Sequence, residues 1–361
     1  MKVDATPYYQ RLHYNIITLT LLAVILYLGQ GILMPLFFAI LLATLLLPVT
    51  NLLQRWRVPK ALSIVMAIFV ALAVIGGIIY FLSHQISIFL EDIDTIKARL
   101  TDLTRKLHGW IRETVNVSTS KQKEYIQDTA KNIKESGPGL VGQTFLTLTE
   151  VLSYFVFLPI YTFLILFYKD LIKRFLIQMF RNGSEDQVAA VLYQSRSIGQ
   201  QYILGLMTDM VIVFTLNSIG FLILGIKYAV FLALVAALLN LVPYIGMLIA
   251  NIFCMLITMV SSQNLSDVVW VAVILAAVQF IDNNFLMPMI VGNKVRINAL
   301  VTIVGVVVGG ALCGIGGMFL AIPAIAVLKV IFDHVDSLKP WGMLLGDDVR
   351  GAKNKRRKPI Q

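Results

Sequence analysis

In a chain of 361 residues, 58% apolar and only 14% charged, there is too little charge to cover a water-exposed surface. That excludes a soluble globular protein and leaves a polytopic membrane protein. The net charge of +10 raises nucleic acid as a partner, but no basic helix with interleaved aromatics occurs, and Lys and Arg held on cytoplasmic loops account for the excess.

The first ten residues are polar and no cleavable signal peptide is expected. Two apolar runs follow, Tyr14 to Leu28 and Gly31 to Pro48, with an uncharged link, and then RWRVPK with Arg55, Arg57 and Lys60. The charged link belongs in the cytoplasm and the uncharged one outside, which gives a cytoplasmic N-terminus and sends the third run, Ala61 to Leu82, outward. Residues 83–145 are then an extracytoplasmic insertion. Ile86, Phe89, Ile93, Ile96, Leu100, Leu103, Leu107 and Trp110 recur in steps of three and four, the seam of helices packing side by side. A second helical stretch ends at Gly137-Pro138-Gly139, so the insertion reads as an antiparallel hairpin within one chain or as a helix that also packs between subunits.

The chain returns through the membrane from Glu150 to Tyr168. KDLIKRFLIQMFR follows, with Leu171, Ile172, Phe175, Leu176, Met179 and Phe180 on one face and basic residues elsewhere, an interfacial helix facing lipid and anionic headgroups. Ser184 and Gln187 form a capping box for the next helix, and Tyr202 to Gly225 spans again with Asp209 and Asn217 on one face. From Tyr228 to Val260 the run is broken by Asn240, Pro243, Tyr244 and Gly246. One unbroken helix there would be about 50 Å long against a hydrocarbon core of about 30 Å, so two arms meeting at an internal tip are expected. Asp267 starts another span that ends near Leu286 with Gln279, Asp282, Asn283 and Asn284. Leu300 to Phe332 is also too long, broken by glycines that include Gly309, Gly310 and Gly314. Lys294 and Arg296 before it, and Lys353 to Lys358 beyond it, both belong in the cytoplasm, which a hairpin permits and a single crossing does not.

The expected fold is therefore all-α: about six full spans and two broken re-entrant hairpins that open from opposite sides of the membrane. Its parts are 1–82, the insertion 83–145, a fourth span with interfacial helices at 146–201, a transport core at 202–335, and a basic cytoplasmic tail at 336–361, expected to be disordered near its end.

Asp282-Asn283-Asn284, Pro288, Gly292, Gly309-Gly310, Gly314, Gly317-Met318 and Ala321-Ile322-Pro323 carry a resemblance to the autoinducer-2 exporter-like family of bacterial permeases. Asn240 to Gly246 resembles that family's N-x-x-P-Y-x-G turn, although Met247 stands where the family usually has proline and Ile252-Phe253 lacks a second one. The resemblance implies a secondary transporter of the bacterial inner membrane, with members assigned to export of a quorum-sensing furanosyl signal or to sodium/proton exchange. It also implies a homo-oligomer, with a pentamer among the candidates.

Broken hydrophobic segments in related positions point to a transporter binding site near the bilayer midplane. Asn240, Pro243, Tyr244, Gly246, Gly309, Gly310 and Gly314 are the candidate site-forming residues, against the alternative that small residues serve close packing, which is the better reading for Gly305, Gly316 and Gly317. Asp282, with Gln279, Asn283 and Asn284, reads as a polar surface for a substrate or cation, or as a headgroup-level anchor. Asp209 is a candidate proton or sodium carrier, with an interhelical hydrogen bond as the alternative; Asn217 is assigned to packing. No phosphate-binding loop occurs, and His13, His84, His108 and His334 have no metal spacing. No enzyme activity, bound cofactor or metal is expected; the only coupling partners in view are a proton or sodium ion. The functions weighed are a permease or exporter of a small polar solute, a sodium/proton antiporter, and a membrane scaffold without transport.

Overall fold

A segment apolar on every face can satisfy its backbone internally only as a helix, and its side chains then face other helices or lipid. The computed structural model describes residues 8–92, 94–99, 101–102, 105, 155–179, 185–242, 245–262, 264–290 and 297–346. Over these the chain is all-α: α1 (Tyr8–Leu28), α2 (Gln30–Arg55), α3 (Lys60–Glu91), α4 (Phe155–Phe167), α5 (Lys169–Met179), α6 (Glu185–Ile223), α7 (Ala229–Leu239), α8 (Ile245–Ser261), α9 (Leu265–Ile281), α10 (Ala299–His334) and α11 (Lys339–Leu345). A π-helical turn, Asp282–Leu286, carries α9 on to Ile290.

By length and composition α2, α3, α6, α9 with its continuation, and α10 could each cross a membrane; α4 and α5, bent by 68°, make a sixth span if taken together. Two spans are longer than expected. α3 runs nine residues past Leu82, and α6 is one helix of 39 residues, joining the capped segment at Glu185 to the span that begins near Tyr202. The insertion from Lys106 on, with Ile93, Leu100 and Leu103 of its seam, the basic turn at Lys294 and Arg296, the cap at Ser184 and the tail from Asp347 lie outside the described residues.

The chain divides into two units that interleave in sequence: Met1–Ile68, Phe155–Gly205 and Val291–Gln361 in the first, Phe69–Tyr154 and Leu206–Ile290 in the second. In the first unit α10 is not one rod. Cys313 (φ −138°) and Gly314 (φ 60°, ψ −150°) interrupt it, and the Gly314 conformation is essentially restricted to glycine. The arms 299–312 and 315–334 fold back on each other. Twenty residues of straight helix would separate Gly305 from Ile325 by about 30 Å, yet the Ile325 side chain lies against Gly305. Gly309 meets the backbone of Gly317, and Gly310 meets Met318. α2 packs on the second arm, with Phe38 stacked on Phe319 at 5.8 Å and Met34 against Gly316. α6 meets the same arm through Ile198, Ala326 and Val330. The Asn298 side chain accepts a bond from Leu300 N–H (2.8 Å), capping the first arm, and Asn298 N–H donates to Leu345 O (3.0 Å), tying the hairpin's base to α11.

The second unit is built on α7 and α8, the other expected hairpin. Cys254 Sγ approaches Leu232 O at 3.6 Å across it, and Gly246 abuts the Leu239 carbonyl. Phe221, Leu232, Ala233, Ala236, Ala250, Val271 and Leu275 form its core with α6 and α9. The end of α6 closes with Gly225 at φ 66° and Ile226 N–H donating to Phe221 O (3.0 Å), a Schellman turn that only a residue in the left-handed region allows. Beyond it Lys227 pairs with Asp92 (2.8 Å), the Tyr228 hydroxyl donates to the same carboxylate (2.6 Å), and Phe89 stacks on Phe231 at 5.0 Å. The Lys227 and Tyr228 hydrogen bonds hold the Asp92 carboxyl below its ordinary range. Cys254 and Cys313 are both free thiols.

The two arms of α10 approach at backbone level, which fixes an order among its glycines. A Cβ at Gly317 would collide with the Gly309 carbonyl and one at Gly309 would sit 2.5 Å from the Gly317 oxygen, whereas one at Gly310 meets only the movable Met318 thioether. Gly309→Ala and Gly317→Ala should each lose about 1–3 kcal/mol and Gly310→Ala distinctly less. Thermal unfolding of the purified variants in one detergent checks this, and equal losses at 310 and 317 would contradict the backbone contact.

Candidate functional site

On α9 the buried positions Val271, Leu275, Val278 and Asp282 follow spacings of four, three and four, so Asp282 is the last member of a core-facing stripe. On α6 Leu206, Asp209, Val213, Asn217 and Phe221 form a similar stripe. Both carboxyls are only 2% exposed. Each is carried into the second unit by a helix whose other residues on that face are chosen for burial.

Asp282 opens the π-helical turn, and its carbonyl accepts the Met287 N–H five residues on. Such turns insert one residue into a helix and recur at functional sites. Here Asn283, Asn284 and Phe285 are exposed while Asp282 stays inside.

Asn240 joins the two acids. It is the last residue before the α7–α8 break, and its amide Nδ2 donates to Asp282 Oδ2 at 3.1 Å and, at a longer 3.4 Å, to Asp209 Oδ2. Gln279 Nε2 donates to Asp282 Oδ2 (3.2 Å) and to Asn283 Oδ1 (3.2 Å). Oδ2 of each carboxyl thus lies within 3.4 Å of the same Asn240 amide nitrogen. Among the described residues Oδ1 of each has no hydrogen-bond partner, and no lysine or arginine pairs with either acid. Two carboxylates so placed repel, and a proton or a cation between them removes the repulsion. The cluster can therefore bind a cation, or accept hydrogen bonds from hydroxyl or amine groups of a solute.

The structure brings together Asp209, Asn240, Gln279 and Asp282, with Asn283 at the edge. Asn284 instead bonds its own helix at Phe280 O (2.8 Å). Gly246 lies at the start of α8 against Leu239, one residue before Asn240. Pro243 and Tyr244 lie outside the described residues. Gly309 and Gly310 sit in the arm-to-arm contact of the first unit and Gly314 forms its tip. Asn217 and Ser218 are buried on α6, and neither Asn217 Oδ1 nor Ser218 Oγ has a partner among the described residues. Nothing in the sequence pattern marks Ser218, because a helical serine can ordinarily bond the preceding turn.

The sequence profile described as AI-2E family transporter matches residues 16–337. The chain belongs to the AI-2E transporter family. YrrI of Bacillus subtilis (strain 168) is 27% identical over 311 residues, covering 84% of this chain and 87% of YrrI. YueF of the same organism is 24% identical over 316 residues, 83% and 84% of the two chains. The AI-2 transport protein TqsA of Escherichia coli (strain K12) is 25% identical over 329 residues, 88% of this chain and 90% of TqsA. The protein is a membrane permease with an all-helical fold, and the resemblance drawn from its broken segments holds over most of the chain.

Among the described residues Asn240 is the one amide that reaches both acids, so its loss should be felt by both. Asn240→Leu keeps the volume and leaves Asp209 without its donor, a change expected to lower stability by about 1–3 kcal/mol. Adding Asp209→Leu should recover part of that loss instead of adding to it. Melting of the two single variants and the double variant in detergent decides this, and simple additivity would mean that Asn240 and Asp209 do not interact.

Proposed function

We propose that this protein is a secondary transporter of the bacterial cytoplasmic membrane that moves a small polar solute, and that Asp209, Asn240, Gln279 and Asp282 hold the solute or its coupling ion. The observation that carries the proposal is the pair of buried carboxyls that share the Asn240 amide, each with one unpartnered oxygen and neither with a basic partner among the described residues. Intramembrane acids left without a cation are expensive, and such residues mark substrate and ion pathways. TqsA's name makes its AI-2 signal the first solute to assay. The same pair also favours a second reading, sodium/proton exchange, in which the two carboxyls alternate between proton and sodium.

In this reading the two hairpins are re-entrant and open from opposite sides. Support comes from arm length: at about 1.5 Å per residue, α7, α8 and the first arm of α10 fall short of a hydrocarbon core of about 30 Å. N- and C-termini lie in the cytoplasm, as the basic residues at Arg55, Arg57, Lys60 and Lys353 to Lys358 require. Pro243, Tyr244, Gly246, Gly309, Gly310 and Gly314 shape the tips, and the working form is a homo-oligomer, with a pentamer the first assembly to test by mass.

Two measurements test this. Asp282→Asn keeps the side-chain volume and removes the charge, and gradient-driven flux per assembled oligomer in proteoliposomes should fall to the protein-free background while assembly and melting are retained. Normal specific flux would remove Asp282 from the mechanism. For orientation, Lys106→Cys in a background lacking Cys254 and Cys313 should react with an impermeant thiol reagent from outside the cell, and Arg55→Cys or Lys355→Cys should not. The reverse labelling would overturn the topology.

A further inference from the structure

We propose that the first unit carries a binding site for an anionic phospholipid, at the cavity where α5 turns away from α4 and lies beside α2 and α6. The cavity has a volume of about 410 Å³, enough for a headgroup and the first carbons of its chains. One part of its wall is basic: Lys169 and Lys173 from α5 and Arg196 from α6. The acid on the wall, Asp170, is already engaged by Lys60 at 3.1 Å. Lys169 is held in place by donating to Asn51 Oδ1 (3.1 Å), and none of the three wall cations forms an ion pair among the described residues. The site thus presents unneutralised positive charge and N–H donors.

The rest of the wall is apolar, with Leu47, Ile165, Ile172, Leu176 and Leu192 contributed by the same four helices. A soluble anion has no use for such a wall, and a zwitterionic lipid would bring its ammonium group against three cations. A phosphodiester with acyl chains satisfies both parts. Outside the cavity the apolar surface continues over Leu164 on α4 and Leu171 and Phe175 on α5, all exposed, where chains too long for 410 Å³ can run. α5 is amphipathic with no buried residue, as expected of a helix lying in the interface. The proposal rests on the membrane location of the protein and is independent of which solute it carries.

The test uses the delipidated full-length protein in detergent, titrated with dioleoyl phosphatidylglycerol, dioleoyl phosphatidylcholine or glycerol 3-phosphate. Bound lipid is followed by native mass spectrometry and by the melting midpoint. Phosphatidylglycerol should bind saturably and raise the midpoint, and the other two should not. Lys173→Gln and Arg196→Gln, both at exposed positions, should each weaken binding about fivefold, and Lys173→Arg should preserve it. Lys355→Gln and Arg356→Gln in the basic tail remove the same charge elsewhere and should leave affinity unchanged. Equal binding of phosphatidylcholine would overturn the proposal, and an equal response to glycerol 3-phosphate would assign the site to a free phosphate. Pocket variants no weaker than the tail variants would reduce the effect to diffuse attraction. Transport is not read in any arm, so failure here leaves the carboxyl site standing and failure there leaves this site standing.

Discussion

Inside hydrocarbon a backbone N–H or C=O has no water to bond, and each one left unpaired costs several kcal/mol. A helix end exposes several such groups, so a break in mid-membrane is tolerable only where the chain itself supplies partners and cover. The α7–α8 break does so locally. Asn240, Leu241 and Val242 N–H donate to Ala236, Leu238 and Leu239 O at 3.0–3.2 Å, and Gly246 N–H returns to Val242 O at 2.9 Å. The α10 break solves the same problem with one residue in a glycine conformation, so that helical bonding resumes at once on the other side of Gly314.

Cover then requires the arms to lie close, which sets the residue types along them. Gly309 against Gly317 and Gly305 against Ile325 let the α10 arms touch, while Ala233, Ala236 and Ala250 lie in the core that α7 and α8 share. The hydrophobic effect gives little drive to helix association within lipid, so close van der Waals contact must provide it. Small residues at these positions thus serve packing and the breaks together. The alternatives of site and packing set out for the glycines do not exclude one another, because a tip can be placed accurately only by arms that pack at backbone level.

Much of this was legible in the sequence. Runs too long for a bilayer, with proline or glycine near the middle, announce a break. Asp209 and Asp282 stand out because acids are rare in such runs. What the pattern does not carry is rotation. α6 and α9 are apolar on nearly all faces, so no amphipathic stripe says which way Asp209 or Asp282 points, and their meeting at Asn240 is a tertiary fact. Nor does a string of glycines say which one has positive φ: Gly309, Gly310 and Gly314 look alike in sequence, yet in the structure two line the arm contact and one makes the turn. The basic cavity was hidden for a different reason. Lys169 and Lys173 read as headgroup-facing charges, and only the fold brings Arg196 beside them.

The carboxyl cluster is difficult to explain as a stabilising device. A buried charged group is often matched or bettered by an apolar side chain of similar volume, and breaking such a network leaves an uncompensated charge behind. Packing alone would favour leucine at 209 and 282, continuing stripes already made of Leu206, Val213, Leu275 and Val278. The chain instead keeps two acids there, gives each a donor, and leaves one oxygen of each open among the described residues. Asn240 adds a further consequence, since the same amide that bonds both acids is the last residue before the hairpin break. A proton, cation or solute that changes what the carboxyls accept must also change what holds Asn240. Through Asn240 the hydrogen bonding of both carboxyls is thus joined to the end of the first hairpin arm.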